Sequence, residues 1–359
     1  MRIRGNRKRR HDYRCWLLRR ARRNLARRRR AENPLAGIEV NGHLRDSIRV
    51  IRNRVELVLP ETIDLEENFE KVASFLTVLR RLRGRRLRRL GFERIRFISP
   101  SAALVLASEV DKWMQITKRR ITAQVKTWHP DITRLLFEMG YFELLGLNDP
   151  EILASKKNTS FLKFVRGDKS EQDPGKVAQG LRKRIEELVG EPIAKSELFD
   201  GLSEAITNTG QHAYQVEDLK KNKQWWVSAS YDKEQRQLHV TFYDQGRGIP
   251  VTLPHTHGED LRHWIDKHLG TNLLTHSYAI KAAMQVGRTS TERDERGQGS
   301  TNLEEFAKRY RGGRLTIYSL KGRCNMTRDD DGELRYDHSS MKDSKQLLQG
   351  TLIEWSVTI

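Results

Sequence analysis

Ser196–Tyr214 reads SELFDGLSEAITNTGQHAY. Leu198, Leu202, Ile206, Thr209 and Ala213 recur at spacings of four, four, three and four, which is the period of a helix with one buried face. Glu204, Asn208 and His212 fall four residues apart on a second stripe of the same helix. Alone, such a stripe is an ordinary solvated helix face. The downstream residues give it weight. Apolar strands are expected at Trp225–Tyr231 and Gln237–Tyr243, and the second runs straight into Asp244-Gln245-Gly246-Arg247-Gly248-Ile249. An acid at a strand end, followed by alternate glycines, lets the backbone come close to a flat ligand. Further on, Arg296-Gly297-Gln298-Gly299-Ser300 precedes a helix expected at Thr301–Tyr310. Glycines that open a helix expose backbone N–H groups suited to phosphate. Gly350-Thr351 opens a terminal strand, Leu352–Ile359.

In this order the four signals resemble the GHKL ATP-binding fold of histidine kinases, gyrase-type topoisomerases, mismatch-repair proteins and anti-sigma-factor serine kinases. SEAITNTGQHAY is most similar to the first motif of the last group. The resemblance spans residues 176–359. It implies an α/β sandwich with helices on one face of a mixed sheet, and ATP with Mg²⁺ as cofactors. It further implies that Asn208 holds Mg²⁺ against the phosphates and that Glu204 polarises the attacking water or hydroxyl. Asp244 would accept the adenine amino group, Gly246 and Gly248 would leave room for the base, Gly297 and Gly299 would admit the phosphates, and Thr351 would support Asp244. Elementary chemistry agrees. Mg²⁺ takes few protein ligands when phosphates and water supply the rest. A carboxylate one helical turn from that ligand is placed for general-base work. Phosphoryl transfer asks mainly for positioning and charge neutralisation. Arg288, Arg293 and Arg296 flank the second glycine motif, and Arg296 is the candidate for supplying charge.

Residues 250–297 would form a long lid over the nucleotide, carrying His255, His257, His263, His268 and His276 without a nearby cysteine to fix a metal site. A charged hairpin or loop, 323–349, precedes the last strand.

Upstream, 48–148 reads as a small α/β domain of order βαβαβα. Its expected elements are strands at Arg54–Leu59, Phe92–Ser99 and Ile121–Trp128. Helices are expected at Asp64–Arg83 with Asp64 as N-cap, at Ala102–Met114 and at Asp131–Leu145. Arginines crowd positions 80–89. The apolar strand, the turn Ser99-Pro100-Ser101-Ala102 and the closing LFEMGYFELLGL (Leu136–Leu147) resemble STAS domains, the modules of anti-sigma-factor antagonists. That resemblance implies a phosphorylatable serine at the turn. Proline stands where the usual acceptor would be, which leaves Ser101 as the acceptor candidate and helix capping as its plainer role. Residues 149–175 read as a linker with an edge strand at Phe161–Val165, and Lys176–Val189 as an amphipathic helix.

The chain has 359 residues and a formal charge of +20. Residues 1–30 hold fourteen Arg and Lys8 against Asp12, so +14 of the charge lies in an Arg-rich tail, taken as 1–47. Tyr13, Trp16, Leu17, Ala21 and Leu25 form one narrow apolar stripe, so the tail could present a basic helix to a polyanion. No helix-turn-helix or finger spacing supports sequence-specific DNA reading. No run nears the ~18 apolar residues of a membrane helix, so no integral membrane segment is expected. Cys15 and Cys324 are too few for a disulfide scaffold and fit a reducing, cytoplasmic setting.

These residues support three functions, in descending order. The first is an ATP-binding regulatory protein that phosphorylates or holds a partner protein. The second is an ATPase switch that rearranges a lid or a homodimer. The third is a non-catalytic binding module with a polyanion-binding tail.

Overall fold

A computed structural model describes residues 16–24, 35, 38, 40, 42–51, 54–82, 87–150, 158–168, 173–214, 224–269, 274–289 and 299–359. The first segment is a helix (α1, 16–24) whose residues are all exposed. After a 3-10 turn at Gly42–Ser47 come β1 (Ile48–Ile51), β2 (Arg54–Val58), β3 (Thr62–Ile63), α2 (Phe69–Arg81), β4 (Leu87–Gly91), β5 (Phe97–Ile98), α3 (Pro100–Thr117), α4 (Pro130–Glu138) and α5 (Tyr141–Leu145). β2 pairs antiparallel with β1 and parallel with β4, and β3 pairs parallel with β5. The core of this N-terminal unit reaches back to the fully buried Leu44, with Leu35, Ile38 and Val40 packed against it.

Several elements here differ from expectation. The ladder to β2 is made by β4, inside the Arg-rich stretch, rather than by Phe92–Ser99. Leu87 and Leu90 turn inward. Arg88 stays half exposed, and Arg89 lies against Glu93 at 2.8 Å and Glu56 at 3.5 Å. Ile121–Trp128 forms a single bridge, Thr122 to Arg89, and a 3-10 turn at Val125–Thr127. The helix expected over Asp131–Leu145 breaks at Gly140, whose φ of 96° no helix interior accepts. Asp64 caps a turn, not a helix: its carboxylate accepts from the N–H groups of Glu66 and Glu67, and α2 begins five residues later.

The rest of the chain runs β6 (Thr159–Asp168), α6 (Pro174–Val189), α7 (Lys195–Gln211), β7 (Gln224–Asp232), β8 (Gln237–Asp244), α8 (Ile249–Thr256), α9 (Gly258–His268), α10 (His276–Thr289), α11 (Gly299–Arg309), β9 (Arg314–Leu320), β10 (Gly322–Arg328), β11 (Leu334–Tyr336) and β12 (Leu348–Thr358). Seven strands form one sheet in the order β11-β10-β9-β12-β8-β7-β6. The sheet is antiparallel at every pairing, not mixed: hairpins join β7 to β8, β9 to β10 and β10 to β11, β6 pairs antiparallel with β7 across the α6–α7 connection, and β12 returns between β8 and β9 antiparallel to both. The 323–349 segment supplies β10, β11 and a 3-10 turn at His338–Ser340. The expected lid region holds α8, α9 and α10, and Leu253, Leu261, Trp264 and Ala282 give these helices a small core of their own.

Period-two alternation divides the strands between two faces. Leu238, Val240 and Phe242 of β8, with Trp225 and Val227 of β7, pack under α6, α7, α10 and α11. Tyr243, Trp226, Tyr318 and Leu352 point the other way and join the N-terminal core. The helices α6, α7, α10 and α11 of the C-terminal unit thus share one face of the sheet. The opposite face is buried too, by α2 and α3 of the N-terminal unit. Phe69 stacks on Tyr318 with centroids 5.7 Å apart. Arg166 reaches both Asp111 oxygens at 3.1 and 2.9 Å, and Glu66 pairs with Arg314 at 2.7 Å and Arg323 at 3.2 Å. No helix among the described residues is long and apolar enough to cross a membrane.

Candidate functional site

Between the helical layer and the sheet lies a cavity of about 880 Å³, within the usual range for small-molecule sites. Glu204, Asn208 and His212 of α7 form one wall, Asp244 and Thr351 the floor, and Gly248 with α8 an edge. The stripe that the sequence separated from the buried stripe of α7 therefore turns toward a cavity rather than toward open solvent.

Asn208 Nδ2 donates to Glu204 Oε1 at 2.6 Å. The amide oxygen of Asn208 is thereby left as the end able to take a hard cation. Burial pushes the Glu204 carboxyl above its usual range, and the Asn208 hydrogen bond only partly offsets this. A carboxylate raised in this way is a better base when ionised. His212 is shifted downward, first by desolvation and then by His257 across the mouth of the cavity.

Asp244 ends β8 on the helix face and is 5 % exposed. Burial raises its pKa to about 7, opposed by backbone hydrogen bonds from Gly246 and Thr351. Gly246 N–H donates to Asp244 Oδ1 at 2.7 Å. A β-carbon on Gly246 would sit 2.5 Å from the Ala213 carbonyl oxygen, so this glycine closes the turn against the end of α7. Gly246 is not itself a lining residue, whereas Gly248 is. At φ +83° Gly248 holds a conformation that side-chain-bearing residues rarely adopt, and it starts α8.

Thr351 lies directly opposite Asp244 in the ladder, its Oγ1 3.1 Å from Ser319 Oγ. Ser319 also receives the Ile249 N–H at 2.9 Å and contacts the Gly350 carbonyl at 3.1 Å, so one buried hydroxyl ties α8, β9 and β12 together. Sequence reading missed Ser319 because it sits in an apolar strand run with no motif around it. Gln349 was missed although it directly precedes the Gly350-Thr351 signal, because its role depends on a contact with a turn about 100 residues away. Its Nε2 donates to the Gly246 carbonyl at 2.7 Å and steadies the turn from the far side.

Gly299 opens α11, and Asn302 and Leu303 of that helix line the cavity. Arg288 falls in α10. Arg293, Arg296 and Gly297 lie outside the described residues. Among the described residues, no group of three or more His, Cys, Asp or Glu could hold a metal ion. Ser101 is buried at the start of α3, 3.5 Å from Ser99. The sequence matches no protein-family model and no curated protein.

Proposed function

We propose that this chain is an ATP-binding regulatory protein of the GHKL type, with an N-terminal STAS-like unit, which phosphorylates or holds a partner protein according to the nucleotide bound. The observation that carries the reading is the convergence of Glu204, Asn208, Asp244, Gly248 and Thr351, which are scattered over about 150 residues of sequence, on one cavity of nucleotide size. Adenine would pair its amino group with Asp244, a buried acceptor at the cavity floor. The phosphates would extend along α7 toward the start of α11.

The donor set suits Mg²⁺ held mostly by phosphate and water: among the described residues, Asn208 offers one amide oxygen and no carboxylate cluster accompanies it. Bound there, the ion would neutralise phosphate charge. Glu204 would take the proton of the incoming hydroxyl or water, and its raised pKa favours a catalytic site over a passive one. The same base serves an ATPase switch, the second reading. The basic α1 segment is assigned to a polyanion contact, on the strength of its exposure and of the +14 charge in residues 1–30.

Calorimetric titration with Mg-ATP tests the reading. Binding is expected, and no heat at millimolar nucleotide would overturn it. Phosphate transferred to a protein separates the kinase from the switch, which would release free phosphate.

A further inference from the structure

The residue between the proposed adenine acceptor and its glycine faces away from the cavity, and its partners lie in the other unit. β8 alternates, so Asp244 belongs to the helix face and Gln245 passes through to the N-terminal unit. Gln245 is 4 % exposed. Its Nε2 donates to Glu109 Oε1 at 2.9 Å and to Ser108 Oγ at 3.1 Å, both on α3. Glu109 is 3 % exposed and pairs through the same oxygen with Arg80 Nη2 of α2 at 2.6 Å. Burial opposes the charge on Arg80, but Glu109 and then Tyr243, one residue before Asp244, outweigh it and hold the guanidinium pKa raised.

The arrangement has two physical consequences. A buried carboxylate shared by a guanidinium and an amide is held in one geometry, since moving it strands a charge in a dry layer. The layer is also only partly satisfied: beyond the Arg80–Glu109 ion pair, Arg80 Nε, Gln245 Oε1 and Trp226 Nε1 are buried without a hydrogen-bond partner among the described residues. Partly satisfied buried networks cost free energy. The brace behind the turn that must grip a ligand is therefore fixed in geometry and held at a cost.

We propose that Glu109 is a positioning residue of the nucleotide site. With Arg80 and Ser108 it holds Gln245 from behind and fixes the Asp244–Gly248 turn, so that docking of the N-terminal unit on the sheet and nucleotide binding form one coupled equilibrium. This rests on the nucleotide reading of the cavity. Coupling is reciprocal: whatever loosens α3 weakens the nucleotide, and the nucleotide tightens α3. A partner that binds the N-terminal unit would thereby be read out at the nucleotide without touching it.

The test titrates Mg-ATP against the full chain as wild type, Glu109→Gln, Gln245→Met and the double variant, and follows hydrogen exchange over α3 in each. Glu109→Gln keeps the side chain's shape but leaves Arg80 without its charge. Gln245→Met keeps the Arg80–Glu109 pair, so it remains informative if the first variant unfolds. Each single change is expected to raise Kd by about 5- to 150-fold, the usual span of site-to-site coupling. The double variant is expected to lose no more than the worse single one, because Glu109 acts through Gln245. Nucleotide should slow exchange in α3 of the wild type and leave the variants unchanged. Unaltered affinity in Gln245→Met, additive losses in the double variant, or α3 exchange indifferent to nucleotide would each overturn the proposal. A wild type that binds no nucleotide would overturn the underlying reading of the cavity, and the coupling with it.

Discussion

The two faces of the seven-stranded sheet are buried for different reasons. The helix face is apolar along its strands and opens into a cavity only where Asp244, Thr351 and the α7 stripe interrupt it. The opposite face is packed by aromatic residues at one end, Trp226, Tyr243 and Tyr318, and crossed by ion pairs to another folding unit. Packing on the first face makes a container. Packing on the second makes a joint. Residues one position apart on β8 therefore answer to different physical demands, and substitutions on the two faces should separate binding, turnover and stability.

The largest effect should come from breaking the joint. Trp226 is fully buried in the interface, and Trp226→Ala should cost about 3–5 kcal/mol in urea unfolding. A loss below about 1 kcal/mol would mean that the N-terminal unit is only loosely seated. On the container side, Glu204→Ala should keep nucleotide binding and lower turnover by roughly 10²–10⁴-fold, the usual share of a general base. Steady-state rates at saturating Mg-ATP measure this, and equal turnover would remove Glu204 from the chemistry. Asp244→Asn should weaken nucleotide binding by about 1–3 kcal/mol, the cost of an unpaired buried partner, as read by titration.

Protonation gives a finer test of the same contrast. The folded pKa of Asp244 is about 7, against about 3.9 in an unfolded chain. The folded state therefore holds the proton more tightly, and the stability this confers is complete below about pH 4 and lost as pH rises to about 7. Denaturation midpoints measured at about pH 5 and about pH 8 should fall in that direction for the wild type, and fall less for Asp244→Asn. Adenosine, which has no group titrating in this window, should bind better above about pH 7 if the ionised carboxylate is the acceptor. The smallest effect is expected from the tail. Deleting residues 1–30 should leave the melting temperature unchanged, since Trp16, Leu17 and Leu18 are exposed on α1. Binding to a polyanion should fall, with a steep dependence on salt.

Legibility in the sequence divides along the same line. The α7 stripe, the two strands after it and the terminal strand are legible because each has one buried face and a simple period. The container is made of such elements. The joint is invisible: Tyr243 and Trp226 look like ordinary strand residues, and Gln245 like a spacer between an acid and a glycine. Their partners, Glu109 and Arg80, lie more than 100 positions upstream, beyond any periodic signal. In the N-terminal unit, arginines on the outer side of β4 hide the inward pair Leu87 and Leu90, and the strand is misplaced. The break at Gly140 is masked because the apolar spacing continues across it. Helices α8, α9 and α10 are hidden by Pro254 within α8 and by scattered histidines.

Adjacent tryptophans on β7 carry a practical consequence. Trp225 stacks with Phe242 on the helix side at 5.9 Å, and Trp226 tilts over Tyr243 on the other side at 6.2 Å. Neighbours in the chain, they are separated by the full thickness of the sheet's backbone and look into different surroundings. Of the chain's seven tryptophans, these two sample the two faces of the sheet from adjacent positions. A Trp226→Phe protein would leave Trp225 as the β7 reporter of the ligand side, and Trp225→Phe would leave Trp226 to report the interface. The emission each variant loses relative to the wild type, followed through one mixing experiment, would show in what order the two sides respond.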